Sequence, residues 1–220
     1  MLQYYSYGEA ETGHLKKKDR RLGEAIERIG PIRRPVRPDL FDALIHSIVG
    51  QQISSKAQQT VWQRLLDLAG EVTPARIDAL SEETLQRCGM SMRKAGYLKG
   101  VAEQVLSGGL DLAGLQAQSD QEVIRTLSAL RGVGVWTAEM LMIFSMQRPN
   151  ILSYGDLAIR RGLCMLYRHR ALTPALFERY RRRYAPYATV ASLYLWAIAG
   201  GALEAEPGEA AQDAAEALPV

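Results

Sequence analysis

Two cysteines in 220 residues, Cys88 and Cys164, stand far apart without metal-ligand spacing. That excludes a disulfide-framed domain and any metal site built from cysteine clusters, and it suits a reduced compartment. The three histidines, His14, His46 and His169, are scattered and form no metal box. No run of 18 apolar residues is present to cross a bilayer as a helix, and no basic start followed by a short apolar run marks a signal peptide. The expected location is therefore cytoplasmic, with no membrane partner. Strand signals are lacking too, because no segment alternates apolar and polar residues with a period of two.

What is present is enough apolar material for a large core: 47% of the residues are hydrophobic. The formal charge of +3 hides an asymmetry. Residues 204–220 carry five acids and no base, so the rest of the chain stands at +8. That balance favours an anionic partner. The acidic stretch, rich in Ala, Glu and Pro, is expected to be a mobile tail following a single domain over residues 1–203. Residues 1–18, with three tyrosines and the run Lys16-Lys17-Lys18, carry no clear period and are expected to be partly disordered.

From Asp39 onward the pattern is helical. Asp39 should cap a helix that puts Leu40, Phe41, Leu44, Ile45, Ile48 and Val49 on one face. Gly50-Gln51-Gln52-Ile53-Ser54 interrupts it, and Ser54 or Ser55 starts the next helix, which stops at Gly70. Thr73-Pro74 and Thr173-Pro174 each combine a cap with a first-turn proline, and Ser81 caps a short helix. Arg93 to Ser107 turns Ala95, Leu98, Val101, Ala102 and Val105 inward, and Val190 to Ala199 is apolar enough to be a central helix.

The stretch with chemical content is Leu127 to Arg161. Ser119 and Glu122 have capping-box spacing, so a helix should begin near Asp120. Gly132-Val133-Gly134 breaks it, and a second helix should follow from Trp136 to Phe144, giving a hairpin over about 120–144. Helix starts carry backbone N–H groups without intrahelical partners, so the amides of Gly132, Gly134, Val135 and Thr137 suit a phosphate. Asp156 stands alone in Tyr154-Gly155-Asp156-Leu157, just before another helix. It reads as a helix cap, as a functional carboxylate, or as both. Arg93, Lys94, Arg160, Arg161 and the run Arg181-Arg182-Arg183 are either phosphate contacts or solvated charges.

Hairpin, spacing and carboxylate together resemble the helix-hairpin-helix DNA glycosylase superfamily, over about Pro38 to Gly201. The resemblance implies an all-α, two-lobed fold with an active-site cleft between the lobes and Asp156 as the catalytic residue. Members that also cut the strand carry a nucleophilic Lys where this chain has Trp136. In having Trp there, the chain is similar to the alkylation-repair branch, the 3-methyladenine DNA glycosylase II type, here in a short form without the N-terminal β-domain. Trp196 matches a second pocket tryptophan of that branch, and Met140 stands where an aromatic pocket residue is usual. Gln52, beside Gln51, matches the residue that fills the space of the flipped base, where an apolar side chain is the common choice.

The implied activity is monofunctional excision of alkylated bases, 3-methyladenine and 7-methylguanine among them, from double-stranded DNA in base excision repair. A monomer without a required cofactor or iron–sulfur cluster is implied. The hairpin carbonyls of Ser128, Leu130 and Val133 are the implied ligands of a structural Na+ or K+. A base methylated on a ring nitrogen is cationic, leaves without a general acid and is attracted to tryptophan faces. Two rivals remain open: a glycosylase for oxidised or mismatched bases, and a non-catalytic DNA-binding hairpin in which Asp156 only caps a helix.

Overall fold

The computed structural model describes residues 3–204. Of the acidic stretch 204–220 all but Glu204 therefore lies outside the described residues. The chain packs as two compact units, one running through Val36 and resuming at Met142, the other spanning Arg37–Leu141.

The first unit opens with β1 (Gln3–Tyr4), α1 (Glu9–Lys18), α2 (Arg20–Ile29) and β2 (Pro35–Val36). The second contains α3 (Leu40–Gly50), α4 (Ser55–Ala69), α5 (Pro74–Ala79), α6 (Glu82–Arg87), α7 (Met92–Leu106), a 3-10 turn at Gly114–Ala117 and α8 (Asp120–Ser128). It also contains most of α9 (Val135–Phe144), after which α10 (Leu157–Tyr167), α11 (Pro174–Tyr184) and α12 (Ala188–Ala199) complete the first unit.

The expected caps are made locally. Side chains of Asp39, Ser54, Thr73, Ser81, Ser119, Asp156 and Thr173 each accept from the backbone N–H three residues on. Each such bond contributes about 1 kcal/mol. In the structure Ser54 is the cap and Ser55 the first residue of α4.

Residues 3–18 depart from expectation, since they are ordered into the first unit. Gln3 and Tyr4 pair antiparallel with Val36 and Pro35, a two-residue ladder with no sequence signal of its own. Tyr5 N–H donates to the Arg34 carbonyl at 2.8 Å, and the Tyr7 hydroxyl accepts from Ile32 N–H at 2.6 Å. The reason the sequence hid this is visible in α1, which buries only Thr12 and Leu15 and so shows no apolar stripe.

The core of the first unit is α12, buried at every position from Ala188 to Ile198. Apolar side chains buried to this degree contribute about 1.5–3 kcal/mol each. α10 packs against it at Gly162, where a Cβ would run into the Leu195 carbonyl, so the two backbones meet in a way only glycine allows. In the second unit Leu44, Ile45 and Ile48 of α3, Leu65 of α4, Ile77 of α5, Leu85 of α6 and Leu98 of α7 are all fully buried.

Candidate active site and nucleic-acid interface

In the first unit, Asp156 is 6% exposed and its neighbour Leu157 is 75% exposed, so the carboxylate sits just beneath the surface. Its Oδ1 accepts from Ile159 N–H at 2.8 Å, as the cap of α10, and from the Trp196 indole Nε1–H at 3.2 Å. Both donors, with the positive end of the helix dipole, favour a negative charge at this point. Trp196 is itself 5% exposed and stacks on Phe144, ring centroids 5.4 Å apart at 29°. The Arg34 guanidinium, buried and with its pKa lowered by that burial, lies 5.2 Å over the Phe144 ring.

The segment leading into Asp156 is strapped to α12. Thr189 Oγ1 donates to the Arg148 carbonyl at 2.6 Å and accepts from Ile151 N–H at 2.9 Å. Ser192 Oγ donates to the Ile151 carbonyl at 3.0 Å, and Arg181 donates to the Leu152 carbonyl at 2.9 Å. The carboxylate is thus held from both sides along the chain. Thr189 and Ser192 were not singled out from sequence, and Arg181 stood there only as a phosphate contact or a solvated charge. The only trace was the polar pair Thr189 and Ser192, spaced one helical turn apart at the start of an otherwise apolar helix.

In the second unit, α8 begins with the expected capping box, Ser119 N–H donating to Glu122 at 3.0 Å and Glu122 N–H to Ser119 Oγ at 3.4 Å. Gly132 has φ +85°, and a Cβ there would strike the Tyr97 ring, so both conformation and packing demand glycine. The Gly134 carbonyl accepts from Ala138 N–H at 3.0 Å, which starts α9 at Val135, one residue earlier than expected. Gly134 and Val135 are exposed, Trp136 is half-buried, and Thr137 and Met140 are buried. Of the carbonyls considered for a monovalent cation, Ser128 ends α8 and Leu130 accepts from Val133 N–H at 3.1 Å. Neutral helix-end oxygens of this kind suit a hard cation, and a carbonyl with one such bond keeps a second lone pair.

Between α3 and α4 the chain makes a tight turn. Gln51 has φ −56° and ψ 129°, Gln52 has φ +58°, and Ile53 N–H closes on the Gly50 carbonyl at 3.4 Å. Gln52 is exposed at the tip. Gln51 Nε2 donates to the Gly132 carbonyl at 2.8 Å, joining this turn to the hairpin.

The basic candidates divide. Lys94 turns its ammonium onto the carbonyls of Val49 and Gln51, at 2.8 and 2.6 Å. Arg181 and Arg183 are structural, the latter pairing with buried Asp19 at 2.7 Å. Arg160 lies 5.0 Å over the Tyr154 ring, and Arg93 and Arg161 are exposed.

Residues 45–186 match the family described as HhH-GPD superfamily base excision DNA repair protein. A curated relative, DNA-3-methyladenine glycosylase 1 of Schizosaccharomyces pombe, is 30% identical over 86% of this chain and 85% of its own length. The chain belongs to the HhH-GPD superfamily.

Within the HhH-GPD superfamily the similarity falls in the 3-methyladenine DNA glycosylase branch. A crystal structure of DNA-3-methyladenine glycosidase from Bacillus halodurans superimposes with a TM-score of 0.80 at 37% identity, covering 94% of this chain and 96% of that one. A Schizosaccharomyces pombe 3-methyladenine DNA glycosylase in complex with abasic DNA gives 0.74 at 30% identity, covering 85% and 95%. DNA-3-methyladenine glycosylase 2 of Escherichia coli is 27% identical over 80% of this chain but only 65% of its own length. Among the described residues no helix is long and apolar enough to cross a membrane, and no group of His, Cys, Asp or Glu could hold a metal ion.

Proposed function

We propose that this protein is a monofunctional 3-methyladenine DNA glycosylase of base excision repair, acting on alkylated bases flipped from double-stranded DNA. The observation that carries the reading is the buried Asp156 capping α10, hydrogen-bonded to Ile159 N–H and to the Trp196 indole. As the glycosidic bond to N-alkylated adenine breaks, its electron pair passes to the cationic base, which departs neutral, and positive charge develops on the sugar. A fixed carboxylate about 4 Å away stabilises that charge by roughly 4 kcal/mol at an effective dielectric of 20, about a thousandfold in rate. Water then adds to the anomeric carbon and Asp156 accepts its proton.

The remaining roles follow from chemistry. Trp136, Met140 and Trp196 are assigned to the base, with the tryptophan rings attracting a cationic lesion by about 0.5–2 kcal/mol. Gln52 fills the vacated space, supported by Gln51. The amides of Gly132, Gly134, Val135 and Thr137 receive a backbone phosphate, and the carbonyls of Ser128, Leu130 and Val133 hold a Na+ or K+. The test is incubation with methylated duplex DNA followed by separation of released bases. Release of 3-methyladenine is expected. DNA binding without release of any base would return the hairpin to a non-catalytic role.

A further inference from the structure

The turn that carries Gln52 has the dihedral signature of a type II turn, Gly50 to Ile53, with Gln52 at its third position. That position demands positive φ and normally takes glycine, because an L side chain is strained there. A glutamine persists at such a place only if its surroundings hold it, and strain of this kind gathers where a side chain must be presented. The holding groups are on the page. Lys94, reaching over from α7, donates to the carbonyls of Val49 and Gln51, which lie at the end of α3 and in the turn. A cation at the carbonyl end of a helix also complements its dipole. Gln51 binds the opposite side of the turn to the hairpin through the Gly132 carbonyl.

We propose that Lys94 is a positioning residue for base extrusion, holding the Gly50–Ile53 turn in the left-handed form that presents Gln52. The role rests on the reading of Gln52 as the plug. Burial, and after it the charge of Arg93, lower the Lys94 pKa, while the carbonyls it bonds favour the charged ammonium. Gln51 extends the brace to the phosphate-binding hairpin, so hairpin and plug keep one geometry within the second unit.

The experiment compares the parent with Lys94→Met, Gln52→Ala and the double variant. Single-turnover excision is measured on duplexes carrying one 7-methylguanine opposite cytosine or mispaired with thymine. Insertion without chemistry is read from 2-aminopurine fluorescence opposite a tetrahydrofuran abasic analogue. Lys94→Met is expected to lower the paired-to-mispaired rate ratio and the fluorescence change by roughly tenfold, the scale of one lost charge-assisted hydrogen bond. The double variant should fall no further than Gln52→Ala. Lys94→Arg should recover part of the loss, and Lys94→Gln serves if the Met variant does not fold. The salt dependence of binding to the abasic analogue should not change, whereas a phosphate contact would reduce its slope by about one. A reduced slope, or losses that multiply in the double variant, would overturn the positioning role and leave the plug intact. If Gln52→Ala alone changes neither the ratio nor the fluorescence, the plug reading fails, and the role of Lys94 fails with it.

Discussion

The indole N–H of Trp196 reaches Asp156 Oδ1 at 3.2 Å, across forty residues of sequence, while its ring lies on Phe144. Trp196 is therefore tied to the carboxylate as well as assigned to the base. Trp196→Phe keeps much of the stacking and deletes the donor. Excision should fall about tenfold from loss of a hydrogen bond to a charged group, with a small change in Tm. Equal single-turnover rates for variant and parent would show that the bond does not orient Asp156.

Asp156→Asn separates capping from charge. Asn is as good a helix cap as Asp, so the fold and binding to an abasic-analogue duplex should persist. Excision should drop by about three orders of magnitude. A single-turnover rate within tenfold of the parent would leave Asp156 as a cap alone.

The product should be an intact abasic site. By the resemblance, Trp136 takes the place of a Schiff-base lysine, and the stretch from Leu127 to Arg161 contains no lysine. Borohydride added during turnover should trap no protein–DNA adduct, and the strand should break only on alkali treatment. A stable trapped adduct would mean that some other amine attacks the sugar.

His46 should make the second unit acid-sensitive. Burial first, then the Arg37 charge, push its pKa down to about 3, and its ring bonds Gln58 and packs edge-on against Trp62. The unfolded chain takes up this proton near pH 6.5, the folded protein only near 3. Stability from this group is therefore complete above about pH 6.5 and lost as the pH falls towards 3, by at most about 1.4 kcal/mol per pH unit. Urea unfolding between pH 7 and 4.5 should show a shallower pH slope for His46→Asn than for the parent. Identical slopes would clear His46 of the effect.

Gly162→Ala tests the crossing of α10 and α12. The added methyl meets the Leu195 backbone, which cannot rotate away as a side chain would, so a loss of about 1–3 kcal/mol is expected. Excision should fall too, because α10 begins at Asp156. Gly100→Ala in α7, where a Cβ meets nothing within 4 Å, should be neutral or slightly stabilising. Thermal melts that rank the two variants the other way would contradict this packing.

The sequence by itself determined what is local. Caps are bonds across three residues and amphipathic faces are repeats of three or four, so Asp39, Ser81, Ser119 with Glu122, and Asp156 announced their helices through nearest neighbours. The hairpin glycines and the Trp136 substitution were legible for the same reason, as short patterns, and they sufficed to point to the family. Only the tertiary structure decided where long side chains end. Lys94 is one basic residue among many until α7 lies beside the turn and its ammonium meets carbonyls 45 and 43 residues away. Gln51 finds Gly132 across 81 residues, and Arg183 finds Asp19 across 164. The N-terminal segment held a place in the fold without an apolar stripe, because α1 buries just two side chains and the strand ladder is two residues long. Such contacts depend on chain segments being brought together by the core, and no local period or cap encodes which polar group will be waiting there.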